Sequence, residues 1–138
     1  MRKMALDVGD ARIGIAFSDP MGIIAGSGET YKVTKDRKKD FLYLADYAKR
    51  KECDTIVIGL PLNMDGTEGD RVVKTRSFAD ELARFTDLTI VFQDERWSTV
   101  SAEKMLIESG VRREKRKDVV DLVAAKIILQ SYLDRINK

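Results

Sequence analysis

The stretch Lys3-Met4-Ala5-Leu6-Asp7-Val8-Gly9-Asp10-Ala11-Arg12-Ile13-Gly14-Ile15-Ala16-Phe17-Ser18 decides the fold. Met4, Leu6 and Val8 alternate with Ala5 and Asp7. After the turn signal Gly9-Asp10 the alternation resumes, with Ile13, Ile15 and Phe17 on one side and Gly14, Ala16 and Ser18 on the other. A period of two residues marks half-buried strands, and a Gly-Asp pair between two of them marks a tight antiparallel connection. One face of the hairpin is therefore bulky and apolar, while the other is small and carries a carboxylate. A Gly-rich segment from Ile23 to Val33 reads as a third antiparallel strand and completes a meander.

Further along, the period lengthens. Phe41, Leu44, Ala45 and Ala48 recur at helical spacing and end in Lys49-Arg50-Lys51, cations that suit a helix C-terminus. Thr55 to Leu60 is a β-branched apolar run, as expected of a parallel strand covered on both faces. A loop follows, then a helix that Asp70 is expected to cap, with Val73, Phe78, Leu82 and Phe85 near one face. Leu88 to Gln93 reads as another buried strand. Ser98 reads as the N-cap of a helix closing at Gly110, and a last helix is expected from Asp118 to Asn137, with Asp118 as its cap. Three meander strands followed by α-β-α-β-α is an α/β layout, a mixed five-stranded sheet flanked by helices, expected to form one domain over residues 1–138.

The composition excludes several chemistries. The 138 residues contain no histidine, which removes Ser-His and Cys-His triads, His-ligated zinc and proton shuttling through imidazole. Cys53 is the only cysteine, so neither an internal disulfide nor a Cys cluster can form, and it reads as an inert thiol in a reducing cytosol. Lys+Arg 25 against Asp+Glu 23 leaves +2, a balance that names no partner. No apolar run approaches the ~20 residues of a membrane span, and Met1-Arg2-Lys3 leads straight into a strand, so no membrane partner and a cytoplasmic location are expected. Any catalysis must rest on carboxylates, Lys, Arg, hydroxyls or a cofactor.

Three acids stand out. Asp7 sits inside a strand beside small neighbours; it either pairs with Arg12 at the surface or lines a space where something approaches the sheet. Asp94-Glu95-Arg96 directly follows the fifth strand, at the strand ends where open α/β sheets gather their ligands, although a solvated connection with a local ion pair reads the same way. Asp121 opens a helix that is apolar nearly all round, where an unpaired carboxylate would cost several kcal/mol and calls for a Lys, an Arg or a metal ion. Together Asp7, Glu95 and Asp121 would make an oxygen-only site, which selects Mg²⁺ or Mn²⁺ and suits phosphodiester hydrolysis. Arg112-Arg113-Glu114-Lys115-Arg116-Lys117 reads as a solvated loop or as a flexible basic loop beside that site, holding a nucleic-acid backbone. Lys35-Asp36-Arg37-Lys38-Lys39-Asp40 is a second, weaker basic cluster, and Trp97 either stacks on a base or anchors a helix.

Leu6-Asp7-Val8-Gly9 with Arg12-Ile13-Gly14, then Gly59-Leu60-Pro61-Leu62-Asn63-Met64-Asp65-Gly66-Thr67-Glu68, then Asp94-Glu95-Arg96 with Ser98-Thr99, then Val120-Asp121 with Ala124-Ala125 resembles the YqgF (RuvX) family. The resemblance runs in order across essentially the whole chain, and the 59–68 stretch is its most specific element. It implies an RNase H-like sheet of order 3-2-1-4-5 and a metal-dependent nuclease with Asp7, Glu95 and Asp121 as both catalytic and metal-binding residues. Processing of the 5′ end of precursor 16S rRNA is the implied activity. A Holliday-junction resolvase acting on four-way DNA junctions, or a non-catalytic nucleic-acid-binding module, is the alternative. Arg12, Arg96, Arg112, Arg113, Lys115, Arg116 and Lys117 are the candidate nucleic-acid contacts. Asp10 and Trp97 depart from the family pattern, and an actin- or hexokinase-like ATPase fits only the Asp-x-Gly element.

Overall fold

In the computed structural model, residues 1–26, 28–96, 108, 110 and 113–137 are described, with backbone alone for 113–121. Strand β1 (Arg2–Val8) occupies the centre of a five-stranded sheet. It pairs antiparallel with β2 (Arg12–Phe17), which in turn pairs antiparallel with β3 (Glu29–Lys32) at one edge. On its other side β1 pairs parallel with β4 (Cys53–Leu60), and β4 pairs parallel with β5 (Thr89–Asp94) at the far edge. The order β3-β2-β1-β4-β5 is the one the family resemblance implies.

The two faces of the hairpin separate two cores. Met4, Leu6, Ile13, Ile15, Ile56 and Ile58 are fully buried under α1 (Arg37–Arg50) and α2 (Asp70–Leu82), which contribute Phe41, Leu44, Ala48, Ala79 and Leu82. Ala5, Ala16 and Val57 form the other face. Their small side chains let α3 (Arg113–Ile136) lie close, through Ala125, Ile128, Leu129 and Leu133. The C-terminal end of α3 is tied to the turn after β2: Asn137 Nδ2 donates to the Gly22 carbonyl at 2.8 Å, and Gln130 Oε1 accepts from the Ala25 amide at 2.9 Å. Gly22 lies beside Met1, so the helix runs from the C-terminal end of β1 toward its start.

Several expectations are corrected. The third strand is shorter than expected, because the Asp19 carboxylate accepts the amides of Met21, Ile23 and Ile24 and folds that segment into a turn instead. The cap of α2 is Gly69, not Asp70, which is already helical; its buried stripe is Val72, Thr75, Ala79 and Leu82, and Val73 is 67% exposed. Strand β5 is an edge, half-covered rather than fully buried. Helix α3 begins at Arg113, so residues 113–117 of the basic run are helical rather than a flexible loop, and Asp118 is not a cap. Trp97, Arg112 and all of the expected Ser98–Gly110 helix but Glu108 and Gly110 lie outside the described residues. Cys53 is buried at the start of β4, where desolvation pushes its thiol up to about 11, in line with an inert role.

Gly28 marks a close backbone crossing: a Cβ there would stand 2.0 Å from the Ile15 carbonyl oxygen, a backbone atom that cannot step aside. Gly28→Ala is expected to destabilise the fold by about 1–3 kcal/mol, read as a lower urea midpoint with an unchanged slope.

Candidate active site

Asp7 lies on the α3 face of the sheet, and its surroundings are empty by sequence. Gly14 stands directly opposite it on β2, Ala5 precedes it on the same face, and Gly59 follows Val57 on the neighbouring strand. Glu95 leaves the end of β5 with its amide donating to the Leu60 carbonyl at 3.1 Å, which holds it against the end of β4. A Cβ on Gly59 would sit 2.5 Å from Glu95 Oε2 and 2.6 Å from Ile128 Cδ1. Gly59 thus keeps open the space into which the Glu95 carboxylate is folded, under the third helix.

Asp7 and Glu95 meet there and share a hydrogen bond. Burial is the main reason that the Glu95 carboxyl is raised, to about 9; the Asp7 charge and the shared hydrogen bond add to it, Asp94 adds a little, and Arg71 opposes. Two carboxylates in one desolvated space cannot both ionise without a cation, so one of them holds a proton. Glu95 Oε2 is nonetheless buried with no hydrogen-bond partner among the described residues. Gln93 Oε1 is in the same condition, and Gln93 pairs in register with Gly59, which puts it on the same face of the sheet. An unsatisfied buried acceptor costs about 1–3 kcal/mol. Acceptor oxygens left unmatched around a small space are the donor set that a hard cation takes.

Gln93 and Gly59 are what the residue-by-residue reading passed over. The signal for Gln93 was present: Val91 and Gln93 alternate with Ile90 and Phe92, so a polar group falls on a covered face. For Gly59 nothing in the sequence announces that its missing side chain makes room for a residue 36 positions later.

The other candidates are distributed as follows. Arg96 is engaged by protein groups: its Nε donates to Asp94 Oδ2 at 2.9 Å, and its Nη1 to the Met64 carbonyl at 3.2 Å. It therefore pins the 61–69 loop to the end of β5. That loop is also tied internally, with the Asn63 amide donating to the Thr67 carbonyl at 2.9 Å and the Thr67 hydroxyl to Asp65 Oδ1 at 2.6 Å. Of its side chains Leu62 is half-buried and Met64 is exposed. The pairing with Arg96 helps to hold Asp94 below the usual carboxylate range, against its partial burial. Arg12 opens β2, half-buried, and Asp10 is exposed on the turn. Arg113, Lys115, Arg116 and Lys117 fall in the first turns of α3, and Asp121 lies in the same helix; the side chains of 113–121 are outside the described residues. Among the described residues no three acidic or sulfur groups cluster tightly enough to hold a metal. The structure thus brings Asp7 and Glu95 together and leaves Asp121 untested.

A family model described as RuvX, Holliday junction resolvase, matches residues 1–135. The chain belongs to the RuvX family. Among its relatives, a protein of Streptococcus thermophilus named "Putative pre-16S rRNA nuclease" is 44% identical over 138 residues, covering 99% of both chains. One of the same name from Halalkalibacterium halodurans is 48% identical over 136 residues, covering 98% of this chain and 97% of the relative. Among solved structures, Thermus thermophilus RuvC in complex with a Holliday junction substrate aligns with a TM-score of 0.58 at 13% identity, over 99% of this chain and 96% of that one. That likeness concerns the fold: a RuvX chain and RuvC share the sheet and its helices. Among the described residues no helix is long and apolar enough to cross a membrane.

Because the folded Glu95 carboxyl titrates well above its usual value of 4.5, its contribution to stability is complete below that pH and is lost as pH rises through about 9. In chelator, the melting temperature is expected to fall across this window. Glu95→Gln is expected to flatten the fall and to stabilise the metal-free protein at pH 9 by about 1–2 kcal/mol, while leaving it unchanged near pH 4. Parallel pH profiles for the two proteins would mean that Glu95 ionises freely.

Proposed function

We propose that this chain is a Mg²⁺- or Mn²⁺-dependent nuclease that hydrolyses phosphodiester bonds of structured RNA, processing the 5′ end of precursor 16S rRNA in the cytoplasm, as one domain spanning residues 1–138. The observation that carries the reading is the half-buried Asp7–Glu95 contact, with a buried carboxylate oxygen over Gly59 that has no partner among the described residues. The names of the relatives support RNA as the substrate.

Asp7, Glu95 and Asp121 would hold the cation. Asp121 precedes Ile128 by seven residues, two helical turns toward the end of α3 nearest Asp7, and Ile128 touches the space beside Glu95. When bound, a divalent cation supplies a lowered pKa for water and neutralises charge on the phosphate and the leaving oxygen. Asp7, rooted in the central strand, would anchor the cation in place. Glu95 gives up its proton as the site loads, so loading is expected to release protons and to strengthen with pH. The carboxylates would then orient the attacking water, beneath the cover of α3. Arg12, Arg112, Arg113, Lys115, Arg116 and Lys117 are proposed to hold the nucleic-acid backbone, and Arg96 to act through the loop it pins.

The fold likeness to RuvC favours a second reading, cleavage of a four-way DNA junction. Both substrates belong in one experiment. A precursor 16S leader should be cut with Mg²⁺ or Mn²⁺, cutting should stop in chelator, and Asp7→Asn should slow it by 10²-fold or more, roughly the loss of one charge-stabilising group, with RNA binding retained. Activity indifferent to chelation and to Asp7→Asn would sink the metal-nuclease reading; paired symmetric nicks in the junction, with the leader untouched, would promote the second. Gly59→Ala gives an independent check. The new methyl displaces Glu95 and Ile128, both flexible side-chain ends, so the fold should lose only about 1–3 kcal/mol while the cleavage rate falls at least about tenfold.

A further inference from the structure

On the opposite face of the sheet, at the same end as Asp7 and Glu95, a cleft of about 480 Å³ opens between α1, α2 and the turn after β1. Its size lies within the range of about 300–1,000 Å³ that small-ligand sites occupy. Val8, Val33, Phe41 and Phe78 make its interior apolar. Arg37, Arg71 and Lys74 stand in its lining against the exposed carboxylate of Asp10 and the buried one of Asp40, which accepts from the hydroxyls of Tyr31 and Thr34. Arg37 is already paired with Glu81 at 3.0 Å, but Arg71 and Lys74 make no ion pair among the described residues. The cleft therefore combines an apolar interior with two uncommitted cations, the chemistry that suits a planar apolar group attached to an anion.

Its position identifies the anion's source. Val8, Gly9 and Asp10 form one wall, and they directly follow Asp7 in the chain. Arg71 belongs to both places: it lines the cleft and is close enough to Glu95 to act on its charge. A nucleic-acid strand whose scissile phosphate lies at Asp7 and Glu95 would meet Arg71 as it passes over the end of the sheet. A stacked duplex cannot bend a base into a cleft on the far face, whereas an unpaired strand can.

We propose that the cleft between α1 and α2 binds an unpaired nucleotide flanking the scissile phosphate, with its base in the apolar interior and its phosphates on Arg71 and Lys74. The proposal rests on the nuclease reading above and narrows its substrate to RNA that is single-stranded beside the cut. It also gives a role to the basic cluster at residues 35–40, through Arg37 at the rim.

The test is binding, measured in chelator so that no cleavage occurs, by the anisotropy of a fluorescein-labelled single-stranded RNA and of a blunt RNA duplex of equal length. Arg71, Val73 and Lys74 are exposed, so at pH 7, where Glu95 keeps its proton, substitutions there should leave the thermal melt intact. The double variant Arg71→Glu, Lys74→Glu is expected to weaken single-strand binding at least about tenfold and to lower its salt slope by about 1.4, at about 0.7 per phosphate contact. Val73→Trp, which fills the cleft mouth without changing charge, is expected to weaken single-strand binding several-fold and leave the duplex unaffected. Equal losses for both RNAs, or a Val73→Trp protein that binds the single strand like wild type, would overturn the proposal. Leader cleavage by wild type with Mg²⁺ or Mn²⁺ separates the two readings. Cleavage by wild type with unchanged binding in the variants removes the cleft alone; no cleavage, with the predicted binding losses, removes the nuclease and keeps the cleft.

Discussion

Two half-buried carboxyl groups pressed together at the end of the central strand are the constraint around which this molecule is organised. Asp7 and Glu95 come from strands that are not neighbours, since β4 lies between them, and they meet only because β4 carries no side chain at position 59. An arrangement in which one carboxyl must keep a proton far above its usual range, and a buried oxygen finds no donor among the described residues, costs stability in a protein whose total margin is on the order of 5–15 kcal/mol. Such local frustration persists where a ligand relieves it. The rest of the fold holds the pair: a central strand that cannot shift, an edge strand tied back at Leu60, and a helix laid across small residues.

The division of labour between the faces follows from the same hairpin. Bulky residues on one side of β1 and β2 build a core with α1 and α2 that involves little charge. Alanines and glycines on the other side let α3 approach until Ile128 touches the site, closing it without filling it. Cationic groups are distributed around this end of the sheet rather than inside it. Arg96 is used to fix the family's most recognisable loop, which argues that this loop is a built part of the strand end and not a free cover.

Membership of the RuvX family agrees with what the acids imply, while the shape shared with RuvC concerns the fold. Homology names a class of chemistry, whereas the unpartnered oxygens state why these residues would engage in it. Gln93, absent from the motif-based set, adds an oxygen unmatched among the described residues to the same face of the sheet.

What the sequence determined by itself was whatever depends on local periodicity and on residue chemistry. Alternation over Met4 to Phe17 dictates the central hairpin and its two unequal faces, and the absence of histidine with a single cysteine confines the chemistry to oxygen ligands. The 59–68 stretch and the spaced acids pointed to the family. Errors arose where competing local signals are close in energy: the start of α3, where a charged run is equally at home in a loop or a first turn; the cap of α2, where Gly69 stands beside an Asp; and the phase of α2, which left Val73 outside. Tertiary structure alone decided that Glu95 crosses over Gly59 to reach Asp7, that Arg96 turns toward the loop, and that a cleft opens behind the site. Each of these joins residues distant in the chain, and the free energy of such contacts lies in burial and desolvation that no window of sequence contains.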